Sequence, residues 1–210
     1  MYDLEEQEKV DAIKAWWKDY GQWVWIAVLA VAVGNAGYWG WHYYQRNQAA
    51  KAGILFEAVR VAARQGDAVK TLQAAKVLQE AQPDSGLATR GALIAAAVSH
   101  AKADNAATQA ELGWVIGHTR EAALADLARL RLAGLLADDK KYEDALRLLD
   151  ANHESDFAGL TADLRGDILL ALKRTDQARE AYKMAAEKSP PDDVLHQIAQ
   201  SKLEALGDPK

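Results

Sequence analysis

Five histidines are the residues of this 210-residue chain best suited to hold a metal or shuttle a proton. Their spacing gives them no help: His42, His100, His118, His153 and His196 are scattered. A helical metal site needs a second ligand three or four residues away with a carboxylate beside it. Cysteine is absent, which removes any thiol nucleophile, thiolate ligand or disulfide framework. Asp163 and Asp167 share a helical face, a separation that paired carboxylates could use for acid–base work. The plainer reading is that Arg165 and neighbouring Arg or Lys groups neutralise an exposed acidic face. Arg129 and Arg131 beside Asp126 read the same way, as surface pairs. Gly34, Gly37 and Gly40 fall inside an apolar run and so form no phosphate loop, and no Ser/His/Asp arrangement emerges from spacing. The expectation is no catalytic centre, no metal, no cofactor and no small-molecule substrate.

The elements that carry these residues are organised around residues 21–45, a run with no formal charge, bracketed by Lys18 and Asp19 before it and Arg46 after it. About 20 apolar residues at about 1.5 Å rise span a hydrocarbon core roughly 30 Å thick. Six of the seven Trp lie in or just before this run, with Tyr20, Tyr38, Tyr43 and Tyr44, and leave a purely aliphatic centre from Ile26 to Val33. Trp23 and Trp41 would stand roughly 27 Å apart on a helix, near the separation of the two bilayer interfaces. A core helix has no reason to sort its indoles to both ends, so the run reads as a membrane span. The preceding segment is acidic and the run ends in bulky rings, so it does not read as a cleaved signal peptide.

Residues 1–20 place Val10, Ile13, Trp16, Trp17 and Tyr20 on one helical face. They read as a short amphipathic helix along the membrane surface, or as a plain extension of the span. Lys9, Lys14 and Lys18 precede the span while Arg46, Lys51, Arg60 and Arg64 follow it, so charge leaves the orientation open. Within the span, Ala32, Ala36 and Gly40 recur every four residues beside Asn35, a stripe that would let another helix approach closely. The net charge of −5 argues against nucleic acid. A mean hydropathy of −0.25 describes a mostly water-soluble protein hung on one span.

From residue 46 onward good helix formers dominate and no β-branched run suggests a strand. Breaks are expected at Gly66-Asp67, Gln82-Pro83-Asp84, Ala103-Asp104-Asn105, Asp138-Asp139-Lys140, Asn152-His153-Glu154, Lys173-Arg174 and Ser189-Pro190-Pro191. The series Gly166, Ala178, Tyr182, Ala185, Pro190 has the small-residue, aromatic and proline spacing of a tetratricopeptide repeat. A copy 33 residues earlier runs through Ala133, Tyr142, Ala145 and Leu149, with Tyr142 at the aromatic position, and a looser one through Val98, Ala110, Trp114 and Gly117. Residues 54–82 make a degenerate pair with Ala58, Val61, Val69, Leu72 and Leu78 as its apolar contacts. In this reading Gly166 and Ala178 let the helices of a pair approach, and Tyr182 fills the gap to the next pair. The fold class is all-α: one N-terminal transmembrane helix, then a tetratricopeptide-like α-solenoid of about four helix pairs. A capping helix from Asp192 to Leu206 closes it, with Asp192 and Asp193 at its positive end.

The early aromatic-rimmed span ending Gly40-Trp41-His42-Tyr43, the four repeats and the stretch Ala162-Asp163-Leu164-Arg165-Gly166-Asp167 resemble the YfgM family of Gram-negative bacteria. The resemblance implies an inner-membrane protein with residues 1–20 in the cytoplasm, residues 21–45 in the membrane and residues 46–210 in the periplasm. It also implies association with the SecYEG translocon and with the membrane-anchored chaperone PpiD.

In such repeats the first helix of each pair lines a concave groove. The register places Leu127, Leu130, Gly134, Leu160, Asp163, Asp167 and Leu170 inward, where apolar and acidic groups together could accept a partner segment. The competing possibility is that the terminal helix fills the groove. Two roles follow: a non-enzymatic adaptor at the export channel, or a tether that sequesters a soluble signalling protein through its repeats.

Overall fold

The computed structural model describes residues 2–150 and 156–207, with side chains from residue 9 onward. The acidic side chains before Lys9, His153 and the expected break around it lie outside the described residues. Among the described residues the chain forms nine α-helices and no strand, grouped in two units, residues 1–50 and 51–210.

The first unit is helix alone, carried by α1 (Tyr2–Arg64), which has no break between residues 1–20 and the apolar run. Among its described residues the apolar side chains are largely uncovered: Trp25, Leu29, Val31 and Trp39 are 65–69% exposed. Leaving such surface in water forgoes about 25 cal/mol per Å². Among the described residues, α1 is the one helix long and apolar enough to cross a membrane by length and composition. Its rings sit in two groups. Trp16 stacks on Tyr20 at 5.8 Å and Trp41 on Tyr44 at 6.3 Å, on either side of the aliphatic centre. The small-residue stripe is open: Ala32, Asn35 and Ala36 are exposed, and a Cβ built on Gly40 would meet nothing within 4 Å.

The second unit begins with residues 51–64 of α1 and continues through α2 (Ala68–Ala81), α3 (Gly86–Ala101), α4 (Asn105–His118), α5 (Ala122–Asp138), α6 (Tyr142–Leu149), α7 (Ala158–Ala171), α8 (Thr175–Glu187) and α9 (Val194–Ala205). Its repeat is written in its turns. Gly66, Ala103, Lys140 and Lys173 all adopt left-handed backbone, with φ of 67°, 58°, 60° and 61°. In each turn the following N–H reaches back to the end of the preceding helix: Asp67 to Ala62 O, Asp104 to Ser99 O, Lys141 to Leu136 O and Arg174 to Leu169 O, at 2.8–3.3 Å. These bonds satisfy carbonyls that the helix ends would otherwise orphan. The turns recur at intervals of 37, 37 and 33 residues (66 to 103 to 140 to 173). They mark four equivalent hairpins, α1–α2, α3–α4, α5–α6 and α7–α8, with α9 left over as the cap.

The first two hairpins share further detail. Asp67 and Asp104 accept from the N–H of Lys70 and Ala107 at 3.0 Å, capping α2 and α4. The hydroxyls of Thr71 and Thr108 donate back to the Asp67 and Asp104 carbonyls at 2.7 Å. The later second helices, α6 and α8, have no side-chain cap.

Each pair buries its apolar face against the next, as stacked repeats must. Val59, Leu78 and Ala88 join the first pair to α3; Leu93, Leu112, Val115 and Ala128 join α3 and α4 to α5; Ala133, Leu149, Ile168 and Tyr182 hold α5 to α8. The last cluster is built of alanine: Ala162, Ala185, Ala186 and Ala199, the last from α9.

Three expectations are corrected. In the first pair the buried face runs through Ala52, Val59 and Ala62, while Ala58, Val61 and Val69 are exposed. The apolar phase there is offset by one residue, as a helix rich in Ala and Val on several faces permits. Tyr182 packs against the preceding pair and also fills space within its own: a Cβ on Gly166 would overlap its ring, so that glycine is what lets α7 and α8 close. And α4 ends at Thr119 without Gly or Pro, a turn the breaker pattern missed; the Thr119 hydroxyl accepts from the Glu121 N–H at 3.2 Å and closes it.

Candidate partner-binding surface

Helix α7 carries Leu160, Asp163, Asp167 and Leu170 at spacings of three and four, one stripe along its length. Leu160 and Leu170 are 44% and 41% exposed and bracket the two acids. Helix α9 supplies what lies between those acids. The Lys202 ammonium donates to both oxygens of Asp163 at 2.8 and 2.9 Å and to both of Asp167 at 2.7 and 2.9 Å. It also stands 5.1 Å from the centre of the Tyr182 ring, a cation–π distance. The Tyr182 hydroxyl donates to Asp167 at 2.8 Å and completes the site.

The electrostatics are coherent. Burial works against the charge on Lys202, but the hydrogen bonds it donates to Asp163 and Asp167 outweigh it, and the pKa rises. Burial, then the bond and charge of Asp167, push the Tyr182 phenol above its ordinary value, so it stays a neutral donor. Arg165, expected to neutralise this face, points elsewhere: it donates to the Leu149 carbonyl at 2.9 Å and pairs with Asp150 at 2.7 Å. Lys202 does the neutralising from a different helix.

The other expected groove residues do not join this stripe. Leu127, Leu130 and Gly134 on α5 are half-buried. Leu130 lines a separate cleft of about 1180 Å³ between α5, α6, α7 and α8, with Leu149, Ala162, Arg165, Leu169 and Met184 among its walls. That cleft uses a different face of α7 from the one bearing Asp163 and Asp167. Asp126 and Arg129, read from sequence as surface groups, are buried and half-buried at its edge and bonded at 3.0 Å; Arg131 is exposed.

The terminal helix does not fill the α7 stripe with side chains; it sets Lys202 on the acids and leaves both leucines open. It is held by its N-cap, Asp193 accepting from Leu195 N–H at 3.0 Å, and by buried Arg179, which donates to the Leu206 and Gly207 carbonyls at 3.4 and 2.9 Å. His196 adds a 2.9 Å contact between Nδ1 and the Ala186 carbonyl. His118 stacks on Trp114 at 4.3 Å, and His42 meets Tyr38 edge-on. Among the described residues no group of three potential ligands could hold a metal. Sequence reasoning missed Lys202, Arg179 and the role of the Tyr182 hydroxyl. Lys202 lies 39 and 35 residues from its two acids, beyond any local spacing rule.

Stacked helix hairpins with left-handed inner turns, small residues at the crossings and a cap define a tetratricopeptide-like solenoid. The tetratricopeptide repeat-like domain family matches residues 14–208. Proteins named ancillary SecYEG translocon subunit are similar over nearly the whole length. That of Neisseria gonorrhoeae is 31% identical over 97% of this chain and 98% of its own. That of Haemophilus influenzae is 25% identical over 98% and 99%, and that of Escherichia coli 26% over 96% of each. The chain belongs to this tetratricopeptide repeat-like family, in the YfgM branch that its span and Ala162–Asp167 stretch resemble.

Proposed function

We propose that this protein is a non-enzymatic adaptor of the bacterial inner membrane that associates with the SecYEG translocon and brings a PpiD-type periplasmic chaperone to exported chains. Residues 1–20 lie in the cytoplasm, 21–45 form the span and 46–210 form the periplasmic repeat domain. The observation that carries the reading is the α7 stripe, two exposed leucines bracketing a polar cluster on a rigid helix, in a chain that also has an open apolar helix. Apolar contacts at Leu160 and Leu170 give affinity, and the acids select for cationic residues. The open stripe Ala32, Asn35, Ala36 and Gly40 supports a helix–helix contact inside the membrane. The names of its relatives support the translocon as the assembly it joins.

The test is a photo-crosslinking residue at Leu170, and separately at Ala36, in the full chain expressed in its native membrane, with captured chains identified by mass spectrometry. The adaptor reading expects a periplasmic chaperone or exported chain from Leu170 and a translocon subunit from Ala36. Capture of cytoplasmic proteins alone from Leu170 would reverse the orientation and favour a tether that sequesters a soluble signalling protein.

A further inference from the structure

Two carboxylates converge on a point beneath which an aromatic ring lies, and an ammonium group occupies that point. Asp163 is mostly buried and Asp167 about half-exposed, with side-chain exposures of 16% and 47%; Lys202 retains 29%. Such a box recognises a primary ammonium by charge, by several hydrogen bonds and by the ring quadrupole together. Its present occupant is supplied in cis by the most weakly embedded helix of the domain. Among the described residues of α9, Ala199 alone is fully buried. The helix hangs from Pro190 and Pro191, and its other anchors are Leu203 and Leu206, half-buried, and the Arg179 and His196 contacts. Val194 and Ile198, 67% and 44% exposed, lie eight and four residues before Lys202 along the same helical face.

We infer that the Asp163–Asp167–Tyr182 box is a lysine-binding site and that Lys202 is its resident competitor: α9 surrenders the box when a lysine-bearing helical segment of another chain engages α7. The inference rests on the reading that the α7 stripe takes partners, and it names the partner's chemistry: a lysine on a helix whose neighbouring turns carry apolar residues for Leu160 and Leu170. The exposed leucines give an incoming segment a first foothold while α9 is still docked. Exchange of one ammonium for another leaves the carboxylates paired throughout, so no buried charge is stranded. Because the competitor is tethered, its effective concentration is high and a partner must match it in more than its lysine.

The probe is a fluorescent synthetic peptide of this chain's residues 192–207, titrated against the full-length protein in nanodiscs, beside a peptide carrying Lys202→Met. The wild-type protein should bind either peptide weakly. Lys202→Met in the protein should strengthen binding of the lysine peptide on the order of ten-fold and leave the methionine peptide weak. Adding Asp163→Asn and Asp167→Asn should abolish the gain, and Lys202→Arg in the protein should restore wild-type behaviour, which separates loss of the competitor from misfolding. Equal binding of the two peptides by the Lys202→Met protein, or no gain over wild type, would overturn the inference. Selective peptide exchange with no chain captured at Leu170 in cells would sink the adaptor reading and leave the lysine site standing. Capture in cells without peptide selectivity would do the reverse.

Discussion

The ring of Tyr182 occupies the space in which a side chain at Gly166 would lie, so the α7–α8 pair closes around an aromatic group seated on bare backbone. Both residues are buried, and Tyr182 is 1% exposed. A methyl group at Gly166 must displace that ring, and overpacking of this kind typically costs about 1–3 kcal/mol. Gly166→Ala is therefore expected to lower the urea midpoint of the full chain and to disturb the Lys202 box, since Tyr182 forms its floor. Unfolding at unchanged midpoint would show that the ring can shift freely.

Leu78 is fully buried where α2 meets α3, against Val59 and Ala75. Leu78→Ala leaves a cavity between two pairs and is expected to destabilise by about 2–5 kcal/mol. Val77→Ala, one residue away and 51% exposed, serves as the control and should change the unfolding temperature little.

Glu111 on α4 accepts from the Gln79 amide at 2.6 Å across to α2. Burial raises its pKa, only partly offset by that bond. A carboxyl whose folded pKa is raised favours the fold below its unfolded pKa, near 4.5, and loses that contribution as pH rises through the folded value. At neutral pH the ionised group is thus a liability. Glu111→Gln should raise the melting temperature at pH 7 by about 2 °C, and the gain should shrink as the pH is lowered through the carboxyl range.

Lys202 and Tyr182 both have raised pKa values. Both therefore contribute stability that is complete below their unfolded values, 10.5 and 10.0, and is lost as alkali titrates the folded groups. Amide exchange in residues 194–205 should accelerate above about pH 10 earlier than intrinsic exchange chemistry accounts for. Lys202→Met should remove the lysine part of that response and leave the tyrosine part. An identical profile in the variant would show that the ammonium does not hold α9.

The span, the helix pairs and most turns were legible in the sequence because each has a local signature. Charge-free length and sorted indoles mark α1; Gly66, Asp67, Pro83, Asp104 and Pro190 mark turns by backbone chemistry. Where the signature is degenerate the reading slipped. The alanine-rich end of α1 has apolar residues on several faces, so periodicity chose Ala58 and Val61 when packing buries Ala52, Val59 and Ala62. The Thr119 turn has neither glycine nor proline to mark it; its hydroxyl bond joins backbone bonds from Thr119 N–H to Val115 O and from Leu124 N–H to Glu121 O. The candidate site was legible by half: helical spacing placed Asp163 and Asp167 together with Leu160 and Leu170, but their counter-ion comes from a helix packed on by tertiary contacts. Leu130 was assigned to the same groove because the register fixes which face of a helix looks inward, and does not fix which cleft that face meets.

Three of the four inner turns hold an alanine or a lysine, not a glycine, in left-handed backbone. An L-residue gives up roughly 1–2 kcal/mol there. Ala103→Gly, Lys140→Gly and Lys173→Gly should each relieve part of that strain without touching either face of a helix, and their gains should add because the sites lie in separate hairpins. The solenoid therefore stands below the stability its own architecture permits, and thermal melting of the triple variant would measure the unused margin.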